Sequence, residues 1–117
     1  MARILIAEKH PAVRRLLELR VLRLGHEPVA WTGEQVDGAS IDAAIVEPAD
    51  PDTLSVARTL RRDHPDLPIV ISSVRGRTLE SAWLRPTAHL VKPFAPSPLG
   101  RALNDALAEA LPLARAA

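Results

Sequence analysis

Side chains that bind ions, exchange protons or form hydrogen bonds stand directly after several apolar segments of this sequence. They are Glu8-Lys9, Glu47, Ser72-Ser73 and Lys92. If the apolar segments are neighbouring parallel strands, the ends that carry these side chains meet at one edge of a sheet, where such proteins bind ligands. Carboxylates, amines and hydroxyls suit an ionic site. A thiolate metal centre is excluded because cysteine is absent, and the four histidines, at positions 10, 26, 64 and 89, share no metal-ligand spacing.

Length and composition bound the kinds of protein that this chain can be. It has 117 residues, 47% of them hydrophobic and 25% charged, which is typical of a single domain spanning 1–117. The formal net charge of +1 and the small number of aromatic residues argue against nucleic-acid binding. No apolar stretch approaches the ~20 residues of a membrane span, and the apolar start is too short for a signal peptide. We therefore expect a cytoplasmic protein with no membrane segment.

Short apolar runs alternate with helical patterns along the chain. The runs predict five strands, at Ile4–Ala7, Glu27–Ala30, Ala43–Val46, Ile69–Ser72 and His89–Val91. A run that is apolar on both faces, such as the first, is typical of a central strand in a parallel sheet. We therefore predict an α/β fold, a three-layer doubly wound sandwich with helices on both faces of the sheet.

The segments between the strands predict helices of unequal length. The first begins with Pro11 and ends before Gly25. Its inward face is predicted to consist of Val13, Leu16, Leu17, Val21 and Leu24. The segments 31–40 and 78–84 leave room only for shortened second and fourth helices.

Two longer helices follow the third and fifth strands. Asp52 or Thr53 is predicted to cap the first of these, which ends near Asp63. Ser97 is predicted to cap the second, which runs to about Leu111 and leaves a frayed tail at 112–117.

Nearly the whole chain resembles the receiver domain of two-component response regulators. The strongest stretches are ILIAEKHPAVRRLLELRVLRLGHE and HLVKPF. The resemblance implies a flavodoxin-like sheet of order 2-1-3-4-5. It also implies an aspartate after strand three that accepts a phosphoryl group from a histidine kinase, and two acidic residues after strand one that hold magnesium. A hydroxyl after strand four and a lysine after strand five would contact the phosphate.

Several residues match the family pattern. Lys92, followed by Pro93 and Phe94, corresponds to the family's lysine motif, and the resemblance implies a cis Lys92–Pro93 peptide bond. Ser73 falls at the hydroxyl position, although it could simply end a strand. His89 falls at the switch position that is usually aromatic. It could equally be a half-buried strand residue or a proton sensor.

The chemistry departs from the family at two positions. Lys9 stands beside Glu8 where a second acidic residue is expected, and Glu47 replaces the acceptor aspartate. Three carboxylates and one lysine would carry a formal charge of −2, whereas the two carboxylates and two lysines present here sum to zero. We therefore expect no metal site, because the charge that recruits magnesium is lost. We also expect the Lys9 ammonium near the vacated position, paired with Glu47 or Glu8.

Three roles for Glu47 stay open at this point. It could form only a buried ion pair at an inactive site, imitate a phosphorylated aspartate, or retain some phosphorylation. Glutamate is one methylene longer than aspartate, so its carboxylate would be displaced by about 1–1.5 Å, and a misplacement of ~1 Å can cost ~10²-fold in rate. Asp50 is an alternative acceptor, although a loop carboxylate is more often merely solvated.

Two groups of residues are predicted to contact partners. Trp83 and Leu84 lie on the short fourth helix near several arginines, and Leu19 and Leu22 face away from the apolar side of the first helix. We expect a weak homodimer through this surface. Arg20 falls inside the apolar face, where it either reaches past the edge of the core to solvent or belongs to the contact surface.

The sequence thus predicts a stand-alone, atypical receiver domain of a bacterial two-component or phosphorelay pathway. It would bind a histidine kinase or another signalling protein without being phosphorylated, would need no cofactor and would not be an enzyme. One alternative is a working phosphoacceptor modified on Glu47 or Asp50. Another is a small-ligand-binding domain that uses the crevice at the strand ends.

Overall fold

Five parallel strands form a single sheet in the computed structural model, which describes residues 1–116, with side-chain surroundings for residues 1–108. The strands are β1 (Arg3–Ala7), β2 (Glu27–Ala30), β3 (Ala43–Val46), β4 (Ile69–Ser73) and β5 (Ala88–Val91). Their order in the sheet is β2-β1-β3-β4-β5. The predicted α/β sandwich and strand order are therefore confirmed.

Helices cover both faces of the sheet. They are α1 (Pro11–Arg23), α2 (Pro51–Asp63), α3 (Leu79–Trp83) and α4 (Pro96–Ala116). One hydrophobic core lies between the sheet and α1 with α4, and a second lies under α2 and the end of α3. Because both faces are covered, β1, β3 and β4 are buried on both sides, which explains their continuous apolar runs. No helix in the described part of the chain combines the length and hydropathy required to cross a bilayer.

The predicted shortening of two helices is confirmed. Between β2 and β3 the described chain forms only a 3-10 turn at Gly38–Ser40, and α3 has five residues. Asp37 caps the 3-10 turn by accepting a hydrogen bond from the Ala39 amide. Gly38 lies directly against His64, so a Cβ atom there would fall 2.3 Å from the imidazole ring. The loop that replaces a full helix is thus held against the C-terminal end of α2.

The N-terminal boundaries of two helices differ from the sequence prediction. Asp50, rather than Asp52 or Thr53, caps α2, because its Oδ1 accepts hydrogen bonds from both of those amides. Helix α4 begins at Pro96, before Ser97. A proline is tolerated at such a start because its missing amide would have no partner in the first turn.

The C-terminal end of α4 also differs from the prediction. The helix continues to Ala116, past the expected end near Leu111. The predicted frayed tail at 112–117 therefore falls largely within this helix, and residue 117 lies outside the described residues.

Helix α1 begins and ends as predicted but buries a narrower stripe. His10 caps it, Pro11 follows, and Gly25 adopts a φ of 86° just after the last turn. Leu17 and Val21 are buried, whereas the predicted core residues Leu16 and Leu24 are exposed. Arg20 occupies a neighbouring part of the inward face, and Leu24 lies just beyond the last turn as the C-cap. The Arg20 guanidinium donates to the Phe94 carbonyl at 3.2 Å and lies 5.7 Å from the centre of the Phe94 ring.

Candidate functional site

Three strand ends bring Glu8, Glu47 and Lys92 together into what we call the ion triad. The register pairs Ala7 with Val46, so the carboxylates that follow β1 and β3 are neighbours. The Lys92 Nζ donates to Glu8 Oε2 at 2.6 Å and to Glu47 Oε2 at 2.8 Å. The predicted convergence of these side chains at the carboxyl edge of the sheet is therefore seen in the structure.

Local backbone hydrogen bonds hold both carboxylates in place. Glu8 Oε1 accepts from the His10 amide at 3.1 Å, and Glu47 Oε1 accepts from the Ala49 amide at 2.8 Å. The buried Thr53 hydroxyl also donates to the Glu47 carbonyl, which fixes the loop between β3 and α2. Each carboxylate therefore has one oxygen bound to a backbone amide and the other bound to Lys92. Both residues are buried, with Glu8 only 5% and Glu47 only 8% exposed.

Lys92 reaches the triad from the end of β5, where its amide donates to the Ser73 carbonyl at 2.7 Å. The Lys92–Pro93 peptide bond is cis, as predicted. Burial lowers the pKa of Lys92, but its hydrogen bonds to Glu47 and Glu8 and the charges of those carboxylates outweigh burial. The pKa is therefore raised above the ordinary value of 10.5. The ammonium stays charged between two buried carboxylates, which leaves the triad with a formal charge of −1.

The prediction that Lys9 pairs with Glu47 or Glu8 is wrong. Its Nζ lies 2.8 Å from Asp52 and 3.6 Å from Asp50, and its side chain is half exposed. Lys9 follows the buried Glu8 at the end of β1, and its ammonium contacts the N-cap and the first turn of α2. It therefore ties the loop after β1 to the start of α2.

The exposed ion pairs of Lys9 shift the pKa values of Lys9 and Asp50 in opposite directions. The Asp52 hydrogen bond and the Asp50 charge raise the pKa of Lys9. Desolvation raises the pKa of Asp50, but backbone hydrogen bonds from Thr53 and Asp52, together with Lys9, lower it overall. Asp50 is thus a helix cap with a charged partner, which argues against its use as a freely solvated acceptor.

The residues at the strand ends do not fit a magnesium ion. Magnesium requires nearly octahedral oxygen ligation with carboxylates that are free to bind it. Here each triad carboxylate is already bound to an amide and to Lys92. The second acidic position after strand one in the family pattern is occupied by Lys9, which cannot bind a metal ion as an ammonium. Among the side chains that the structure describes, no three histidine, cysteine, aspartate or glutamate residues are grouped so that they could hold a metal ion.

Ser73 lies at the end of β4 but is not connected to the triad by its side chain. Its Oγ accepts from the Arg75 amide at 3.2 Å and is buried. The neighbouring Ser72 points to the opposite face of the sheet, where its buried Oγ has no hydrogen-bond partner among the described residues. The two serines of the same strand end therefore have different environments.

His89 lies on β5 beside the loop that follows β4. Its Nε2 is 2.9 Å from the Arg75 carbonyl, and because a carbonyl only accepts, this nitrogen carries the proton. Its Nδ1 is buried without a partner among the described residues. A cavity of about 190 Å³ opens between the loops after β3 and β4, and Ser73, Arg75 and His89 are among its lining residues.

The predicted contact residues do not form one surface. Leu84 is fully buried in the core beneath α2, so it cannot contact a partner, in contrast to the prediction. Leu19 and Leu22 are 40% and 53% exposed on α1, whereas Trp83 is 55% exposed on α3. The two helices cover opposite faces of the sheet, since α1 packs into one hydrophobic core and the end of α3 packs into the other.

Sequence reasoning missed a buried arginine on α2. Arg61 is 5% exposed and donates to the carbonyls of Leu84 at 2.6 Å and Pro65 at 2.7 Å. The signal was present in the sequence, since Arg61 follows Ala57 by four positions and therefore lies on the same inward stripe of the helix. Sequence reasoning treats an arginine as solvated, and only the packing shows which carbonyls it meets.

Comparison with known proteins identifies the fold. No protein-family model and no curated protein matches the sequence significantly. A sensor protein from Polaromonas sp. JS666 is 32% identical, with a TM-score of 0.79, and the match covers 91% of this chain and 95% of that one. This chain belongs to that protein's family.

The receiver fold of response regulators is the architecture that the chain shares with further solved structures. The response regulator TrrA from Thermotoga maritima, solved in complex with Mg²⁺-BeF, is 23% identical with a TM-score of 0.75, covering 92% of this chain and all 100% of that one. The chemotaxis protein CheY4 from Vibrio cholerae is 20% identical, also with a TM-score of 0.75, covering 92% of this chain and 99% of that one. These likenesses show the receiver fold, with its characteristic strand order.

Proposed function

We propose that this protein is an atypical receiver domain that contacts signalling proteins in a two-component pathway without being phosphorylated at Glu47. The receiver-domain neighbours support a role in two-component signalling. The observation that carries the proposal is the ion triad, in which one ammonium is shared by two buried carboxylates. We expect the protein to act in the bacterial cytoplasm, with a histidine kinase or another signalling protein as its partner.

The triad opposes phosphoryl transfer in two ways. Transfer depends on positioning and on cations that stabilise the moving phosphoryl group. Both oxygens of Glu47 are hydrogen-bonded, so a nucleophilic oxygen would first have to leave Ala49 or Lys92. The positive charge of Lys92 is already offset by the two carboxylates, so little of it is available to an incoming phosphate. Metal-free operation is part of the same proposal, because the donor set does not suit magnesium.

The Glu47–Lys92 contact also offers a reason why no modification would be needed. In the family pattern the lysine contacts the phosphoryl group, and here a carboxylate already occupies that partner role. The contact is present in the unmodified chain, so the state presented to partners does not depend on a phosphodonor. Interaction would then be controlled by the amount of protein or by the partner.

Intact-mass measurement with acetyl phosphate and Mg²⁺ tests the phosphorylation part of the proposal. Wild-type protein should gain no phosphoryl mass. The double variant Lys9→Asp/Glu47→Asp restores the family's acidic set and should gain one, together with quenching of tryptophan fluorescence by Mg²⁺. A phosphoryl group mapped to Glu47 or Asp50 of the wild type would overturn the proposal in favour of a working phosphoacceptor.

Affinity capture tests the interaction part. Tagged wild-type protein is incubated with host extract with and without acetyl phosphate, and the captured signalling proteins are quantified. The same partner should be recovered in equal amount under both conditions. Capture only after acetyl phosphate treatment would contradict a phosphorylation-independent interaction.

The cavity beside Ser73 and His89 favours one second candidate, a small-ligand-binding domain. Its volume of about 190 Å³ suits only a small molecule, and hydroxyl, guanidinium and carboxylate groups line it together with Leu54. A thermal-shift screen with a metabolite panel tests this candidate. A stabilising metabolite whose effect disappears in Ser73→Ala would support it over the interaction module.

A further inference from the structure

A groove of about 490 Å³ lies at the edge of the sheet opposite the ion triad. We call it the arginine–tryptophan groove; it is lined by Arg61, Arg62, Pro65, Ala82, Trp83 and Arg85. These residues end α2 and α3 and precede β4 and β5, whereas the triad follows the carboxyl ends of the strands. The groove is therefore separated from the triad by the length of the sheet.

Positive charge exceeds negative charge around this groove, because three arginines line it and two carboxylates, Asp63 and Asp66, act on them. Within the described side chains, Arg62 pairs with Asp63 at 3.0 Å, but neither Arg61 nor Arg85 forms a salt bridge. The guanidinium of Arg61 donates instead to carbonyls, including those of Leu84 and Pro65, and Asp66 offsets its charge only from a distance beyond a salt bridge. Burial and the charge of Arg85 lower the pKa of Arg61 overall, although the charge of Asp66 opposes them. The like charges of the buried Arg61 and the exposed Arg85 thus lie close together at the groove.

An exposed aromatic side chain and a strained backbone accompany these charges. Trp83 is 55% exposed although it is the largest apolar side chain on α3. Arg85 has a φ of 50°, a conformation that is uncommon for a residue other than glycine and is concentrated at functional sites. Arg61 holds this backbone in place, because its guanidinium also contacts the Arg85 carbonyl at 3.4 Å.

We propose that the arginine–tryptophan groove binds an acidic segment of a partner protein, with carboxylates on the exposed Arg62 and Arg85 and an apolar side chain on Trp83. Arginine and tryptophan are enriched among the residues that dominate protein interfaces, and guanidinium groups recognise carboxylates by paired hydrogen bonds. The near-neutral net charge of the chain favours a peptide over a nucleic acid. The inference rests on the proposed interaction function, because it requires a protein partner. It does not depend on whether Glu47 is phosphorylated.

A single-tryptophan variant of the full chain tests the proposal. In Trp31→Phe, fluorescence reports on Trp83 alone. The probe is a short peptide of alternating glutamate and leucine, and its control has glutamine in place of every glutamate. We expect a saturable blue shift of Trp83 emission with the acidic peptide and at least about tenfold weaker binding of the neutral peptide, which is the size of one interface hot spot.

Variants separate recognition from folding. Arg85→Gly removes the guanidinium but keeps the positive φ, so circular dichroism should show a folded protein while peptide affinity falls at least about tenfold. Trp83→Ala, followed by calorimetry, should weaken binding to a similar extent. Arg15→Ala, which changes an exposed arginine on the opposite face of the sheet, should bind as the parent does.

Several results would overturn the proposal. They are equal affinity for the neutral peptide, unchanged affinity in Arg85→Gly, and equal loss in Arg15→Ala, which would indicate unspecific charge attraction. Tighter binding of single-stranded oligonucleotide than of peptide would assign the groove to nucleic acid. A concentration-dependent dimer that disappears in Trp83→Ala would assign it to a second copy of the chain. None of these results depends on phosphorylation of Glu47, so the two proposals fail separately.

Discussion

Neighbouring residues of one strand can have opposite effects on stability in this protein, and Ser72 and Ser73 are such a pair. The buried hydroxyl of Ser72 has no partner among the described residues, whereas that of Ser73 accepts a hydrogen bond from the Arg75 amide. A buried polar group without a partner lowers stability, because it loses its hydrogen bonds to water.

Alanine substitutions test this contrast. Ser72→Ala should raise the free energy of unfolding by about 1 kcal/mol, because it removes an unpaired buried hydroxyl. Ser73→Ala should lower it by about 0.5–1.5 kcal/mol, because the Arg75 amide loses its acceptor. Urea unfolding of both variants beside the wild type measures the difference. A loss of stability in Ser72→Ala would show that its hydroxyl is satisfied, for example by a bound water.

The ion triad predicts strong coupling between its members. Lys92→Met leaves two buried carboxylates without a cation and should lower the free energy of unfolding by about 3–5 kcal/mol. Adding Glu8→Gln and Glu47→Gln should recover most of this loss, because the buried charges disappear together. The quantity to measure is the coupling free energy from unfolding of the single and combined variants. Additive effects would mean that the triad is not an energetic unit.

At the scale of elements, a buried arginine joins the end of α2 to the loop before β5. Arg61 bonds to carbonyls on both segments, whereas the adjacent Arg62 is largely exposed and pairs only with Asp63. The shortened α3 makes this link important, since five residues provide little packing of their own.

These two arginines form a matched pair of substitutions. Arg61→Ala should lower the free energy of unfolding by about 1.5–3 kcal/mol, the range for hydrogen bonds that involve a charged group. Arg62→Ala should change it by less than about 0.5 kcal/mol, because exposed ion pairs contribute little. Hydrogen exchange of the amides around β5 should increase only in the first variant. Similar effects of both substitutions would contradict the structural role of Arg61.

The whole molecule has few groups that titrate at alkaline pH. It contains no tyrosine and no cysteine, and its only lysines are Lys9 and Lys92. The hydrogen bonds and charges of Glu47 and Glu8 overcome burial and raise the pKa of Lys92 above 10.5. A raised lysine pKa stabilises the folded state below the unfolded value, and this stabilisation disappears as the pH rises through the folded value. Alkaline unfolding should therefore report on the triad.

Unfolding by urea between pH 8 and pH 12 measures this dependence. Wild-type stability should be constant up to about pH 10.5 and should then fall. The triple variant Lys92→Met/Glu8→Gln/Glu47→Gln should show little of this fall. High salt should remove the contribution of the exposed Lys9 pairs but preserve that of the buried triad. A fall that salt abolishes would assign the pH dependence to Lys9.

The order of the elements and the location of the candidate site could be predicted from the amino-acid sequence alone. Apolar runs, periodicity, prolines and glycines are local signals, so they predicted five strands, the limits of α1 and the two shortened segments at 31–40 and 78–84. Because parallel strands end at a common edge, the positions of Glu8, Glu47 and Lys92 in the chain were enough to predict that they meet. The resemblance to receiver domains added the cis Lys92–Pro93 bond, which no local pattern would predict.

The contacts of the long charged side chains, in contrast, depend on how the elements pack in three dimensions. Lys9, Arg20 and Arg61 each reach across to another segment, and their partners are Asp52, Phe94 and the carbonyl of Leu84. The sequence predicted that Lys9 pairs with Glu47 or Glu8, and it gave no prediction for Arg61. A lysine or arginine has several rotatable bonds and spans more than one helical turn, so its partner depends on loop paths and on which faces pack. Helical spacing can show that a residue such as Arg61 faces inward, but the group that it meets there is a consequence of the assembled fold.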